Sequence, residues 1–493
     1  MSTIGQLATK SAKAYPQKIA VKYNDIEITY TQLLERAHAL TAYFHATGLR
    51  KGDRIGILMS NRSEHIELDV AISLAGIIKV PLNYRLHPRE LEYQIRDSGL
   101  RLLIGEQPIF DKVDTTAPLL LVGEQYEAII DKYRGQSHIT EVEEDDLMAI
   151  MYTSGTTGNP KGVMLSHRNM VCGAVSLATA CEVDFSDTIG HVAPLTHGAN
   201  FLSHVAWIYG LTQVVYDKFD PETFIHYLKK DCVSVIFLVP TMVNLMVQHE
   251  KFDASYLETI KSINMAGSPI AVTKLQEALD KVGTKFVETY GQVECPMCIS
   301  IMPRNDLPKK LDSCGRIGPF VDVQIVDDEG NVLPVGEVGE ITAKGPLVMK
   351  GYWNNEAATK ETLQDGWLYT GDLGHVDEQG FLYIVDRKKE VIISGGVNIY
   401  PREVEEVLNK HEAVKETCVI GIPDEKWGES IVAYVVPNGR GEVTAEELIQ
   451  LCKDHLASFK KPKEIHIVSE LPKSSYGKIL KRELVKQHMG VIR

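Results

Sequence analysis

The sequence predicts a layered α/β protein with largely parallel sheet, followed by a smaller separate unit, and three observations predict it. Apolar strand-like runs alternate with helical periodicity through the first part of the chain. From Val321 to Val376 the texture changes to short β runs broken by Gly, Asp and Asn, which predicts a small β-rich subdomain. At "DRKKEVIISGGVNIYPREVEEVL" a charged tetrad, a buried strand, two glycines and an amphipathic helix beginning after Pro401 read as a linker and the opening of another domain. With 493 residues the chain holds roughly three domains' worth of core at about 150 residues each.

The elements follow in order. "IEITYTQLLERAHALTAYFHATGLRKGDRIGILMSN" reads as a short strand, then a helix with Leu33, Leu34, Ala37, Leu40 and Phe44 on one face, stopped at Gly48, then a strand from Arg54 to Met59. The next helix ends near Gly76, and "IIKVPLN" resumes extended structure. Leu147 to Tyr152 is an apolar strand, and "QVVYD" and "VSVIFLVP" are buried-strand candidates further on. No fixed-period repeat or heptad appears, which argues against solenoids and filaments.

Charge and cysteine usage narrow the class. A net charge of −14 argues against a general nucleic-acid binder. It is unevenly spread: residues 387–493 carry 18 Lys+Arg against 16 Asp+Glu, and the first 386 carry 34 against 50. A near-neutral C-terminal unit on an acidic body suits the smaller piece to meet a polyphosphate. Eight scattered cysteines form no disulfide framework and fit a reducing compartment; Cys295 and Cys298 in "CPMC" lack a matching pair for a zinc site. The N-terminus lacks a signal-peptide core, and no apolar run approaches the roughly 18 residues of a span. The expectation is a cytoplasmic protein without an integral membrane segment, with peripheral membrane contact and a homodimer left open.

Four stretches carry chemistry. "YTSGTTGNPKGV" packs glycines, hydroxyls and a lysine directly after the strand ending at Tyr152, where α/β sheets present phosphate binders. It is not a P-loop: counting from Gly155, Pro160 stands where Gly is required and Gly162 where Ser/Thr is required. "VETYGQVEC" sets Glu294 after a Tyr-Gly turn, a carboxylate suited to Mg²⁺ beside phosphates. "LYTGDLG" sets Asp372 between two glycines, a placement suited to ribose hydroxyls. "LPKSSYGKILKREL" sets Lys478 after a glycine in an exposed-looking turn. Taken singly, each also reads as a surface turn.

In this order and at these separations, the stretches resemble the adenylate-forming superfamily of acyl-CoA synthetases, peptide-synthetase adenylation domains and firefly luciferase, from "ITYTQL" to "GKILKREL". The resemblance implies an N-terminal adenylation domain over 1–386, its barrel-like β-rich subdomain at about 321–386, and a mobile α+β C-terminal domain over 387–493 with its hinge at Lys389. It implies Thr153, Ser154, Gly155, Thr156, Thr157, Gly158 and Lys161 around the phosphates of ATP, and Glu294 on Mg²⁺. Gly267, Ser268, Pro269, Glu288, Thr289, Tyr290 and Gly291 would line the nucleotide, with Tyr290 against adenine; Asp372 and Arg387 would hold ribose. Lys478 would bridge the substrate carboxylate and the nucleotide, with Glu294 and Thr153 beside it as catalytic groups. His197, Val239, Met242 and the "MAGSP" turn would line the acyl pocket, and Gly395 and Gly396 the CoA tunnel.

Three positions depart from the family pattern: Val293 replaces a frequent Thr, Thr196 a frequent aromatic, and Tyr476 a small residue. The implied reaction joins a carboxylic acid to CoA through an acyl-adenylate, releasing AMP and pyrophosphate. Without an obvious Arg for a second carboxylate, apolar acids are expected, fatty acids first and aryl acids second. Loading of a separate carrier protein is the alternative within the fold, and a non-catalytic nucleotide binder the alternative outside it.

Overall fold

The structure, a computed structural model, describes residues 2–153, 160–439, 441–473 and 478–490. Its described residues build three sheets. The first runs in the order Gly351–Tyr352, Gly162–Ser166, Leu147–Tyr152, Ile78–Pro81, Arg54–Leu58, Leu102–Gly105, Leu119–Leu121. Its pairings are parallel from Leu147–Tyr152 onward, and the strand Gly162–Ser166 returns antiparallel after the phosphate-loop candidate. The expected helix is Tyr30–Ala46, started by a Thr29/Gln32 capping box, with Leu33, Ala37, Leu40 and Phe44 buried.

The second, 14-stranded sheet joins two textures. One half is parallel and carries Thr188–His191, Thr212–Val215, Val235–Leu238, Ser262–Met265 and Phe286–Gln292. The other half is antiparallel and carries Cys295–Met302, Gly315–Ile317, Phe381–Arg387, Trp367–Val376, Gly339–Lys344 and Asp322–Val326. The β-rich stretch is thus antiparallel, and the pairing of Gly315–Ile317 with Phe381–Arg387 makes it continuous with the parallel half. Between the sheets lies the helix Ser63–Ala75, buried at all 13 positions and ended by Gly76 in the left-handed region.

A third sheet of five strands, from Ile392 to Ile467, forms the core of a small C-terminal domain with helices Pro401–Leu408, Ala445–His455 and Lys481–His488. Pro401 is the first residue of its helix rather than a residue before it, the position where a missing N–H costs nothing. Gly395 and Gly396, at φ 60° and 79°, form the two-residue turn between Ile392–Ser394 and Val397–Ile399. Among the described residues no helix is long and apolar enough to cross a membrane. Cys295 and Cys298 are free, buried, and in no cluster of three metal-ligating side chains among those residues. Burial raises both thiols, which keeps them protonated.

Candidate active site

The loop candidate begins at Thr153, whose N–H donates to the Lys161 carbonyl at 3.0 Å and closes the base of the loop. Ser154, Gly155, Thr156, Thr157, Gly158 and, near the C-terminus, Tyr476 lie outside the described residues. The Lys161 ammonium sits 4.7 Å from the centroid of the Tyr352 ring, a cation–π contact. Tyr352 reaches this place because its strand pairs with Val163, and its hydroxyl donates to Glu294 Oε1 at 2.8 Å. Lys161 and Glu294, 133 positions apart in the chain, therefore meet through one phenol.

Glu294 and Val293 form the tight turn between Phe286–Gln292 and Cys295–Met302, and the Glu294 carbonyl accepts the Met349 N–H at 2.8 Å. Just before the turn Gly291 leaves no room for a side chain: a Cβ there would stand 2.7 Å from the Met297 nitrogen. On the same strand Tyr290 donates to Asp372 Oδ2 at 2.6 Å, and Gln292 Nε2 donates to that oxygen, also at 2.6 Å. Arg387 Nε pairs with Asp372 Oδ1 at 2.8 Å, directly across the strand register. Both oxygens of Asp372 are thus engaged. Burial first and the Asp372 charge second raise the Tyr290 hydroxyl well above its usual range.

Asp372 does not take the alternative reading of an exposed turn residue. It is 3 % exposed and lies inside the strand Trp367–Val376. Its flanking glycines do different things: Gly371 takes a left-handed φ of 71° with open space where a Cβ would stand, and Gly374 serves close packing, since a Cβ there would meet the Tyr383 carbonyl at 2.3 Å. Arg387 keeps about half its side chain open, at 49 %. Burial works against its charge, and Asp372, Tyr290, Glu390 and Glu294 more than offset that.

Lys478 is exposed by surface, but it opens into a cleft crowded by protein rather than onto a free turn. That crowding lowers its ammonium, Arg387 lowers it further, and Asp372 and Glu294 partly oppose both. His197 is pushed down to about 4 by burial, with Lys478 acting in the same sense and the Thr196 carbonyl, 2.6 Å from Nδ1, against it. His197 and Lys478, from opposite ends of the chain, therefore share one cleft with Asp372, Arg387 and Glu294.

The remaining expected residues fall into three groups. Glu288 and Thr289 precede Tyr290 on its strand; burial raises Glu288 to about 7, opposed by Arg402, and Thr289 accepts from Asn264 at 3.1 Å. Gly267, at φ 99°, lies beside Val239, with Ser268 and Pro269 exposed after it. Val239 and Met242 are half-buried at the start of the helix Pro240–Val247, and a Cβ on Gly198 would contact Met297 and Phe237. Gly395 and Gly396 stand apart: Gly395 donates to the Trp427 carbonyl at 2.7 Å and packs on its ring, within the C-terminal domain. Lys389 is exposed in the single turn Lys388–Glu390 that follows Arg387.

Sequence reasoning missed Tyr352, Gln292 and Arg402. Arg402 ties the C-terminal helix to the large domain: its N–H donates to Asp386 Oδ2 at 3.0 Å and its guanidinium to the Ile384 carbonyl at 3.1 Å. For Gln292 and Arg402 the only sequence signal is adjacency, Gln292 two residues before Glu294 and Arg402 just after Pro401, and Tyr352 has none. Chemically, the cations Lys161, Arg387 and Lys478 and the carboxylates Glu294 and Asp372 form a site for an anionic ligand and a hard cation, with Lys161 and Glu294 beyond the carboxyl ends of Leu147–Tyr152 and Phe286–Gln292 and Asp372 and Arg387 on the antiparallel pair beside them.

A family model described as AMP-binding enzyme matches residues 8–353, and its C-terminal domain model matches residues 403–478. The chain is 34 % identical to a feruloyl-CoA synthase of an Amycolatopsis species over 99 % of both chains. It is 35 % identical to a 2-succinylbenzoate–CoA ligase of Bacillus cereus over 98 % of both. The solved o-succinylbenzoate CoA synthetase from Bacillus subtilis, in complex with its acyl-adenylate intermediate, superposes with a TM-score of 0.88 at 33 % identity, covering 97 % of each chain.

Proposed function

This chain belongs to the AMP-binding enzymes as an AMP-forming acid–CoA ligase, and we propose that the acid it activates is an aryl acid with an apolar body. The observation that carries the reading is the convergence of Lys478, Arg387, Asp372 and Glu294 on the cleft that also holds His197. The choice of acid rests on relatives named for feruloyl and succinylbenzoyl substrates, and on half-buried Val239 and Met242 near Phe237 and Met297. Fatty acids, first by sequence texture, become the second choice.

The substrate carboxylate attacks the α-phosphorus of ATP and pyrophosphate leaves; the CoA thiol then attacks the acyl-adenylate carbonyl and AMP leaves. Lys478 faces the oxyanions of the first step, a preorganised electrostatic role. Thr153 and Lys161 hold the phosphates, and Asp372 and Arg387 the ribose, with Tyr290 against the adenine. The donor set fits Mg²⁺, since one carboxylate, Glu294, stands beside the phosphate lysine Lys161 through Tyr352. Bound there, Mg²⁺ supplies charge neutralisation on the departing phosphates.

The two half-reactions ask for different groups at one carbon, so residues 387–493 turn against residues 1–386 about Lys389, bringing the Gly395–Gly396 turn to the cleft. Lys389→Pro, which fixes φ near about −65°, should impair adenylation and thioester formation unequally; equal loss would remove the hinge. The substrate assignment is tested by ATP–pyrophosphate exchange and mass-spectrometric detection of CoA thioesters, with hydroxycinnamates, benzoates and fatty acids of increasing length. Hydroxycinnamates and benzoates should give the highest kcat/KM. A preference for any fatty acid overturns the aryl reading.

A further inference from the structure

The geometry points to a transition-metal site, of Zn²⁺ class, formed by Glu464, His466 and His488 on the C-terminal domain. Each of these three side chains offers a ligand atom within 4.8 Å of the others. Glu464 and His466 lie two apart on the strand Glu464–Ile467, so they project on one face while Ile465 between them enters the core. Their Oε2 and Nε2 atoms stand 3.2 Å apart, close to the roughly 3.3 Å edge of a tetrahedron built on metal bonds of about 2.0–2.1 Å. His488 arrives from a different element, the last residue of the helix Lys481–His488, with its ring edge-on to His466 at 5.4 Å.

Tyr434 completes the arrangement. It pairs in register with His466 and stacks on it at 5.1 Å, and its hydroxyl lies 3.0 Å from His488 Nδ1. A metal-bound imidazole characteristically gives its other nitrogen to such an outer partner, which fixes its tautomer and leaves Nε2 to coordinate. Two imidazoles and one carboxylate suit Zn²⁺ better than Mg²⁺ or Ca²⁺, which take oxygen ligands. Among the described residues, the only ion-pair partner of Glu464 is His466.

The position gives the site a consequence. The strand precedes, and the helix follows, the segment that carries Lys478, whose neck is closed by the Lys473–Ile479 bridge and by the Leu480 N–H on the Pro472 carbonyl at 2.8 Å. An ion joining Glu464 and His466 to His488 clamps the two flanks of the lysine segment, outside the nucleotide cleft.

The experiment uses the full chain stripped of metal by chelator and titrated with Zn²⁺ alone, without nucleotide, by competition with a chromophoric indicator. The expected result is one Zn²⁺ per chain, with affinity reduced at least about tenfold in His466→Ala and in His488→Ala and abolished in the double variant. Both single variants should keep the wild-type circular dichroism and Mg²⁺-dependent pyrophosphate exchange, which separates loss of the site from loss of the fold and of the ligase. No Zn²⁺ on the wild type, or undiminished binding by the double variant, overturns the site. A less demanding variant, Glu464→Gln, must also weaken binding; unchanged affinity there removes the carboxylate from the ligand set.

Discussion

Two clusters pair a carboxylate of the large domain with a cation, and they are built in opposite ways. Asp69, on the fully buried helix Ser63–Ala75, is ion-paired to Lys79, accepts from Asn200 at 2.8 Å and lies 3.4 Å from His204, all of them buried. Burial would raise Asp69, but Lys79 and His204 overturn that and hold it below the usual carboxylate range. Asp372 is equally buried, yet its partner Arg387 opens to a cleft, and beside it stands a second cation, Lys478, which Arg387 repels. The sealed cluster is closed to solvent and supports the structure: Asn200 ends the short turn whose first carbonyl belongs to His197. The open cluster holds cations near one another in a way that an anionic ligand would relieve.

Acid should act first on the buried histidines, three of them in the interior and His197 at the cleft, and this is the largest effect expected. His65, His167, His191 and His197 are each lowered to about 4, by burial before any other cause. The unfolded chain takes up these protons near about 6.5, the folded chain only near 4, so the stability they contribute is complete above 6.5 and is lost as pH falls toward 4. Glu67 and Glu288, raised to about 7 by burial, act in the opposite sense, as do Asp386 and Glu406, raised by burial, and they offset part of this loss, while His204, lowered by burial, adds to it. The net loss between pH 7 and pH 4.5 should be on the order of several kcal/mol, read from urea midpoints. His191→Gln should flatten the slope; a midpoint that does not move with pH would refute the assignment.

Breaking the sealed pair comes next. Lys79→Ala leaves Asp69 charged and buried among neutral partners, which should cost about 3–5 kcal/mol of stability. Pyrophosphate exchange per folded molecule should stay near wild type at low temperature. A stable variant with lost activity would move Lys79 from support to chemistry.

These two regions also differ in how far sequence could reach them. The alternation of strand and helix from Tyr30 to Pro81 was readable because period 3.6 and apolar runs are local properties, and Gly76 and Pro401 punctuate helices where their backbone preferences demand. The sealed helix was readable as a helix but not as a core element, since Glu64, His65, Glu67 and Asp69 are residues that ordinarily mark a solvent face. Only its position between two sheets makes them buried. Glu294, Asp372, Arg387 and Lys478 were legible through motif order, whereas their meeting in one cleft is a long-range fact. Asp372 also read as a surface turn because a glycine that admits close strand packing, Gly374, looks in sequence like one that makes a turn. Tyr352 carries no motif at all, and its contact with Glu294 depends on a strand pairing nearly two hundred residues apart in the chain.

The open cluster should respond in the opposite manner to the sealed one. Lys478→Ala should leave stability within about 0.5 kcal/mol, because it removes a cation already disfavoured by burial first and by Arg387 second. Adenylation should fall on the order of 10²–10³-fold, several kcal/mol of transition-state stabilisation. Thioester formation from supplied acyl-adenylate and CoA should persist, because that half-reaction does not build charge at the α-phosphorus. Parallel changes in the two half-reactions would contradict the role given to Lys478.

The smallest effect separates two functions of one side chain. Tyr290 offers a hydroxyl, 2.6 Å from Asp372 Oδ2, and a ring that the proposed function sets against adenine. Gln292 and Arg387 remain on Asp372 when the hydroxyl is removed, so the carboxylate stays paired and no buried charge is orphaned. Tyr290→Phe should therefore change the KM for ATP by less than about fivefold, roughly one hydrogen bond's net worth, and leave kcat near wild type. Tyr290→Ala removes the ring as well and should raise that KM by about tenfold or more, since aromatic stacking and buried apolar area are both lost. If the two variants match, the hydroxyl rather than the ring binds the nucleotide. If Tyr290→Phe instead lowers kcat with KM unchanged, the Tyr290–Asp372 bond acts in the transition state, and the open cluster is more tightly preorganised than its exposed arginine suggests.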